Sequence, residues 1–198
     1  IANNEKENFN NYLKTIIKQI NQIENLVNEF SDFARMPKPI FNKNNIIEIL
    51  KNNISLLKEI DKSIKINMKS DFDELFIKCD GDQISRAFFN LIKNSIESIS
   101  EKSMKNDDFS KFIDIEIRDK NDYISINITD NGTGFSANII KKITKPYFTT
   151  KPKGSGLGLS IVNKIINDHE GELEFFPDND GAKIEIIFKS NGNRNFNS

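Results

Sequence analysis

Tyr123-Ile124-Ser125-Ile126-Asn127-Ile128-Thr129-Asp130, running straight into Asn131-Gly132-Thr133-Gly134-Phe135, decides the reading of this chain. Ile124, Ile126 and Ile128 alternate with polar residues, which is the period of a half-buried strand. Asp130 continues the even-numbered parity, so its carboxylate points to the core side of the sheet. A carboxylate there is costly unless it is paired or hydrogen-bonded. The two glycines that follow let backbone approach something closely. An inward carboxylate at a strand end can accept a hydrogen bond from an exocyclic amino group such as that of adenine. A strand-end Asp that only caps a turn has the same local pattern, and on this motif alone the two readings are evenly matched.

Working outward, Phe112–Arg118 alternates in the same way, and the polar turn Asp119–Asp122 joins the two runs into a hairpin. Ile64–Met68, Leu75–Cys79, Leu173–Phe176 and Ala182–Phe188 also read as strands. Ile46–Leu57, Asp82–Ser100 and Leu157–Asp168 read as helices. Strands flank helices without regular βαβ alternation. The expected fold is α+β, a two-layer sandwich in which helices cover one face of a mixed, mainly antiparallel sheet.

At the N-terminal side, Phe9, Leu13, Ile16, Ile20, Ile23, Val27, Phe30 and Ala34 are spaced 4-3-4-3-4-3-4. This is an a/d seam, which faces another helix in a bundle or dimer. Pro37 and Pro39 require the helix to end near Met36. The expected division is a helix over 1–36, a domain over 40–190 and a disordered tail over 191–198. Because the chain opens with Ile inside a helical pattern, it reads as a fragment of a longer protein.

Lys and Arg number 28 against 29 Asp and Glu, for a net charge of −1, and mean hydropathy is −0.51. This balance argues against a nucleic-acid or membrane-surface binder. No apolar run approaches the roughly 20 residues that span a bilayer. The single cysteine, Cys79, excludes an internal disulfide, fits a reducing compartment and reads as a buried filler.

Three further stretches carry chemistry. On the helix 82–100, Ile84, Phe88, Leu91, Ile92 and Ile99 form the apolar face, while Gln83, Arg86, Asn90, Lys93, Asn94 and Glu97 form the polar one. Asn90 and Asn94 are four apart and project together. An amide oxygen suits Mg²⁺, and Lys93 suits phosphate. Such a face is more often merely solvated. Gly154-Ser155-Gly156-Leu157-Gly158-Leu159 opens onto a helix and presents backbone amides and a positive helix end to an anion. It matches neither the P-loop nor the dinucleotide pattern, and a glycine-rich turn with close helix packing has the same composition. Pro146–Lys151 lies in the long irregular stretch 136–153 and suits a phosphate-contacting lid, or a plain surface loop.

In their order these stretches resemble the catalytic domain of two-component sensor histidine kinases, within the wider group of gyrase, Hsp90 and MutL. Asn90–Asn94 resembles the N box, Asp130–Phe135 the G1 box, Tyr147–Lys151 the F box and Gly154–Leu159 the G2 box. The resemblance covers about residues 40–190. Glu29–Pro39 further resembles nitrogen-regulation sensor kinases of the NtrY type, where it closes the second helix of the dimerisation and phosphotransfer hairpin.

The resemblance implies ATP and Mg²⁺ as cofactors and a set of residue roles. Asp130 accepts from the adenine amino group, and Gly132 and Gly134 let the backbone pass the base. Ile139 and Ile143 line the adenine pocket. Asn94 ligates Mg²⁺, with Asn90 and Lys93 near the phosphates. Phe148 anchors the lid, Thr150 and Lys151 approach the γ-phosphate, and Gly154, Ser155, Gly156, Leu157, Gly158 and Leu159 cradle the triphosphate. Asn90, Lys93 and Lys151 are the expected catalytic residues. The implied reaction is γ-phosphoryl transfer to a histidine on the hairpin, then to an aspartate on a response-regulator receiver domain. Homodimerisation through the hairpin, a cytoplasmic location for this part and an inner-membrane anchor upstream complete the expectation.

The chain departs from the family pattern at Ser155, where Thr is common, at Lys145, where an acid is common, and at Ser95, where Ala is common. The only histidine, His169, falls where the family has a structural His-Gly-Gly turn, and the helix that bears the acceptor histidine is not in this chain. An ATPase of the same fold needs a glutamate where this chain has Asn90, which cannot take a proton from water. A nucleotide-binding regulatory module without catalysis is the other alternative.

Overall fold

The computed structural model describes residues 2–104, 109–151, 154–177 and 180–189. The tail 191–198, expected to be disordered, lies outside them.

Helix α1, Ala2–Ala34, precedes the domain. It ends two residues before Met36, with Arg35 N donating to Ser31 O at 2.9 Å in its last turn. The a/d side chains Phe9, Leu13, Ile16, Ile20, Ile23, Val27 and Phe30 are all exposed, so the seam has no partner among the described residues. Near its C-terminal end Phe33, and just after it Met36, pack against the core.

The main sheet has five strands in the order β2-β4-β5-β7-β6. They are β2 (Lys65–Ser70), β4 (Phe112–Asp119), β5 (Tyr123–Asp130), β6 (Glu172–Pro177) and β7 (Ala182–Lys189). Among the described residues only β2 and β4 pair in parallel. The hairpin expected at 119–122 is present, with Asn121 at φ +65 and its amide on Asp119 Oδ1 at 2.9 Å. The sheet is therefore mixed and mainly antiparallel.

One strand was not legible. Asn42–Asn45 forms β1 and pairs antiparallel with β3, Phe76–Cys79, in a separate two-stranded sheet. A run of Asn and Lys carries no apolar alternation, so only its pairing reveals it. Asn45 has a second role, because its Oδ1 accepts from Ile47 N at 3.1 Å and caps α2, Ile46–Lys58.

Helix α3, Gly81–Ser103, is capped by Asp80, whose Oδ1 accepts from Gln83 N at 3.1 Å. It packs between α2 and α5, Gly158–Asp168, and rests on β4 and β5. Its expected apolar face, Ile84, Phe88, Leu91, Ile92 and Ile99, is completely buried. One residue of the expected polar face departs. Gln83 is buried because its side-chain amide donates to Pro37 O at 3.0 Å and fastens the segment after α1 to the start of α3. Opposite α3, the sheet contributes rows in register: Ile117, Ile126 and Ile186; Ile115, Ile128 and Ile184; Ile113, Asp130 and Ala182. A carboxylate thus ends an otherwise apolar row. Cys79 is buried, and burial pushes its thiol up to about 11, as a filler requires.

Phe88→Ala empties the centre of this packing and should lower unfolding free energy by about 3–5 kcal/mol in a denaturant titration. Lys93→Ala, on the exposed face of the same helix, should stay within about 0.5 kcal/mol of wild type.

Candidate active site

The even-numbered side chains of β5 enter the core, and Asp130, the last of them, is 4% exposed. Its Oδ1 accepts from the Gly132 amide at 2.9 Å. The buried Ser95 hydroxyl of α3 lies close to the same carboxylate but outside hydrogen-bond geometry, so it has no partner. Burial is the largest influence on Asp130 and holds its pKa above the usual 3.8. The Ser95 hydroxyl, the amides of Gly132 and Ala182 and the charge of Lys102 act the other way without cancelling it. A dry carboxylate beside an unused hydroxyl fits a base that both donates and accepts, as adenine does.

The turn after Asp130 lies directly on α3. A Cβ at Gly132 would stand 2.3 Å from Ser98 Oγ and 2.8 Å from the Ile99 amide nitrogen, so only glycine allows this approach. Thr133 N donates to Ser98 Oγ at 2.9 Å and ties the turn to the helix. Gly134 takes φ +71. Beyond it, Ile139 is half-buried in and around the short helix α4, Ala137–Ile140, and Ile143 is buried.

The other end of the site is the start of α5. No side chain caps this helix, so its first amides and its positive dipole end are available to an anion. A Cβ at Gly158 would lie 3.8 Å from Asn90 Oδ1 and 4.0 Å from Asn94 Nδ2, which sets the helix start over the asparagine pair. Leu157 is buried and Leu159 packs against the core, so these side chains anchor the run. Ser155 Oγ accepts from Leu157 N at 3.2 Å.

The Tyr147–Lys151 segment lies against the glycine run. Gly156 has φ +71, and a Cβ there would stand 2.5 Å from the Tyr147 carbonyl carbon. A Cβ at Gly154 would stand 2.5 Å from the Thr149 side-chain oxygen. Phe148 is half-buried, Thr149 and Thr150 are both exposed, and it is Thr149 that lies against Gly154.

Lys151 reaches back to α3, where its Nζ donates to Asn94 Oδ1 at 3.2 Å. A cation already stands at the oxygen expected to ligate Mg²⁺, which makes that oxygen a fit for a hard metal ion. Among the described residues no cluster of three or more His, Cys, Asp or Glu could hold a metal. A divalent ion here would depend on Asn94, water and a ligand's own oxygens. Lys93 is not directed at Asn90 or Asn94 but lies 4.0 Å from Glu97 Oε1. Ser95 and Glu97 are site neighbours that sequence reasoning missed. Ser95 meets Asp130 and Glu97 meets Lys151 from parts of the chain far removed, and neither contact has a local signature beyond Ser95 as a departure from Ala.

His169 is buried, with Nδ1 2.7 Å from Ile165 O and Nε2 accepting from Asp80 N at 3.0 Å. Both ring nitrogens are engaged, so neither can act as a phosphate acceptor in this fold.

Residues 79–192 match the family model described as histidine kinase-, DNA gyrase B-, and HSP90-like ATPase. The chain is 39% identical over 185 residues to a putative NtrY-like sensor histidine kinase of Rickettsia felis, covering 93% of this chain and 30% of that protein. It is 33% identical over 196 residues to the nitrogen regulation protein NtrY of Azorhizobium caulinodans, covering 95% of this chain and 24% of that one. The chain thus spans less than a third of these relatives. Among solved structures, the nucleotide-free catalytic domain of the histidine kinase ThkA superposes with a TM-score of 0.67 at 26% identity, over 76% of this chain and 95% of that chain. ThkA in complex with the response regulator TrrA superposes at 0.73 and 23% identity, over 90% of this chain and 50% of that chain.

The raised pKa of Asp130 sets a pH test. Its native pKa lies above its unfolded value, so the native state binds the extra proton between the two, and stability falls as pH rises through that window. Asp130→Asn removes the charge. Its stability relative to wild type should therefore rise from pH 4 to pH 7, as read by urea unfolding at each pH. A constant difference would show that Asp130 is not destabilised by burial.

Proposed function

Because this chain belongs to the family of histidine kinase-, DNA gyrase B- and HSP90-like ATPases, and within it to the NtrY-like sensor histidine kinases, we propose that it binds Mg-ATP and donates the γ-phosphoryl group to a histidine on a dimerisation hairpin. The observation that carries this reading is the uncapped start of α5 set over Asn90 and Asn94, with the buried Asp130 carboxylate closing the other end of the same helix face.

In this reading Asp130 accepts from the adenine amino group, and the Ser95 hydroxyl supplies a second polar contact to the base. Gly132 and Gly134 keep the backbone close to the ring, with Ile139 and Ile143 as apolar wall. The amides of Gly154–Leu159 and the α5 dipole hold phosphate oxygens. Asn94 ligates Mg²⁺, which when bound supplies neutralising charge on the triphosphate. Asn90 orients phosphate oxygens, Lys93 adds positive charge at the cleft edge, and Phe148 seats the lid so that Thr150 and Lys151 meet the γ-phosphate. The chain's part in catalysis is positioning and electrostatic stabilisation. Asn90 in the place of a glutamate general base favours transfer to histidine over hydrolysis.

The exposed a/d seam of α1 supports a homodimer built through hairpin helices. Residues 1–36 then belong to the second helix of that hairpin and residues 40–190 to the ATP-binding domain. A response-regulator receiver domain is the proposed next acceptor, in line with the ThkA complex. No described helix is long and apolar enough to cross a membrane, and the proposed inner-membrane anchor belongs to another part of the protein.

The test supplies ATP and a separate hairpin polypeptide bearing a histidine on its first helix. Acid-labile phosphate should appear on the hairpin and not on this chain, and Asn94→Ala should slow transfer by at least about 10²-fold. Phosphate released to water without transfer would establish an ATPase. Nucleotide binding with neither outcome would establish a regulatory module.

A further inference from the structure

Lys151 does not lie free in the lid. Besides the 3.2 Å contact to Asn94 Oδ1, its Nζ pairs with Glu97 Oε2 at 2.5 Å. The second carboxylate oxygen of Glu97 faces Lys93 Nζ at 4.0 Å. Asn94 and Glu97 are three apart on α3, so their side chains share one helix face. One lid ammonium therefore bridges an amide oxygen and a carboxylate that the helix presents side by side.

Mg²⁺ takes its oxygen ligands at about 2.0–2.1 Å. An ammonium on the same amide oxygen would then stand close to a doubly charged ion with little solvent between them, an arrangement that Coulomb repulsion forbids. Lys151 and Mg²⁺ are thus alternative occupants of Asn94 Oδ1. Resting on the assignment of Asn94 as the metal ligand, we propose that Glu97 is a positioning residue: it holds the lid lysine on the metal-binding oxygen until Mg-nucleotide arrives. Displacement of Lys151 by the metal frees its ammonium for the incoming γ-phosphate, so lid release is coupled to metal loading. A half-exposed ion pair biases such an equilibrium only by about three- to fivefold. The latch is weak enough to open on ligand binding and strong enough to measure.

The experiment uses ADP, which has no γ-phosphate to reward the released lysine. Calorimetry gives the Kd of ADP with Mg²⁺ and with EDTA, and the ratio of EDTA to Mg²⁺ values reports metal affinity at the site. Glu97→Gln should raise this ratio about three- to fivefold, because Lys151 loses its anchor. A carboxylate that merely attracted the metal would produce the opposite sign when removed. In the Lys151→Met background, Glu97→Gln should no longer raise the ratio. A ratio that falls or stays constant in Glu97→Gln overturns the latch, as does an equal rise in both backgrounds. If Mg²⁺ has no effect on wild type, or Asn94→Ala retains the Mg²⁺ effect, the assignment of Asn94 falls and the latch with it. If wild type binds no ADP, the functional reading itself fails.

Discussion

Helix α3 lies on β4 and β5 with Ile84, Phe88, Leu91, Ile92 and Ile99 completely buried. A helix held that tightly on one side cannot rotate, so what it presents on its other faces is settled by helical geometry alone. Asn90 and Asn94 project toward the start of α5, Ser95 toward Asp130, Ser98 toward the Gly132 turn and Glu97 toward Lys151. Each part of the candidate site is referenced to this one rod. The sheet supplies the carboxylate, α5 supplies amides, and the Tyr147–Lys151 segment supplies the lysine.

The site has opposite electrostatic demands at its two ends. At the Asp130 end, low solvent access raises the cost of charge and favours a specific hydrogen-bonding partner over an ion. At the α5 end, an uncapped helix start and two lysines sit in partial solvent, where charge is tolerated and exchange is easy. A nucleotide has this polarity, with a flat base at one end and anions at the other. His169 stands apart from both ends, tying the end of α5 to the start of α3 through Asp80. Its role is to hold the two helices of the site together.

Much of this was legible because it depends on short-range rules. The parity of β5 forecast the inward Asp130, and the i, i+4 spacing forecast the Asn90–Asn94 face. The a/d spacing of α1 called for a partner helix, and the seam is exposed among the described residues. Other features were not. β1 is an Asn- and Lys-rich strand that exists only because β3 pairs with it. Gln83 reads as a surface residue and is buried by a carbonyl from the segment after α1. Thr149, not Thr150, lies against Gly154, while Gly156 takes φ +71 against the backbone of Tyr147 and Phe148.

Sequence by itself therefore determined the periodic elements, the family and the residue types at each box, because periodicity and glycine placement are local properties of the chain. Tertiary structure decided which of those residues meet. Lys151 reaches Asn94 and Glu97 across more than fifty residues of chain, and Ser95 approaches Asp130 from a separate element. Such contacts depend on how α3, β5 and the lid are packed in three dimensions, and no one-dimensional spacing encodes that distance.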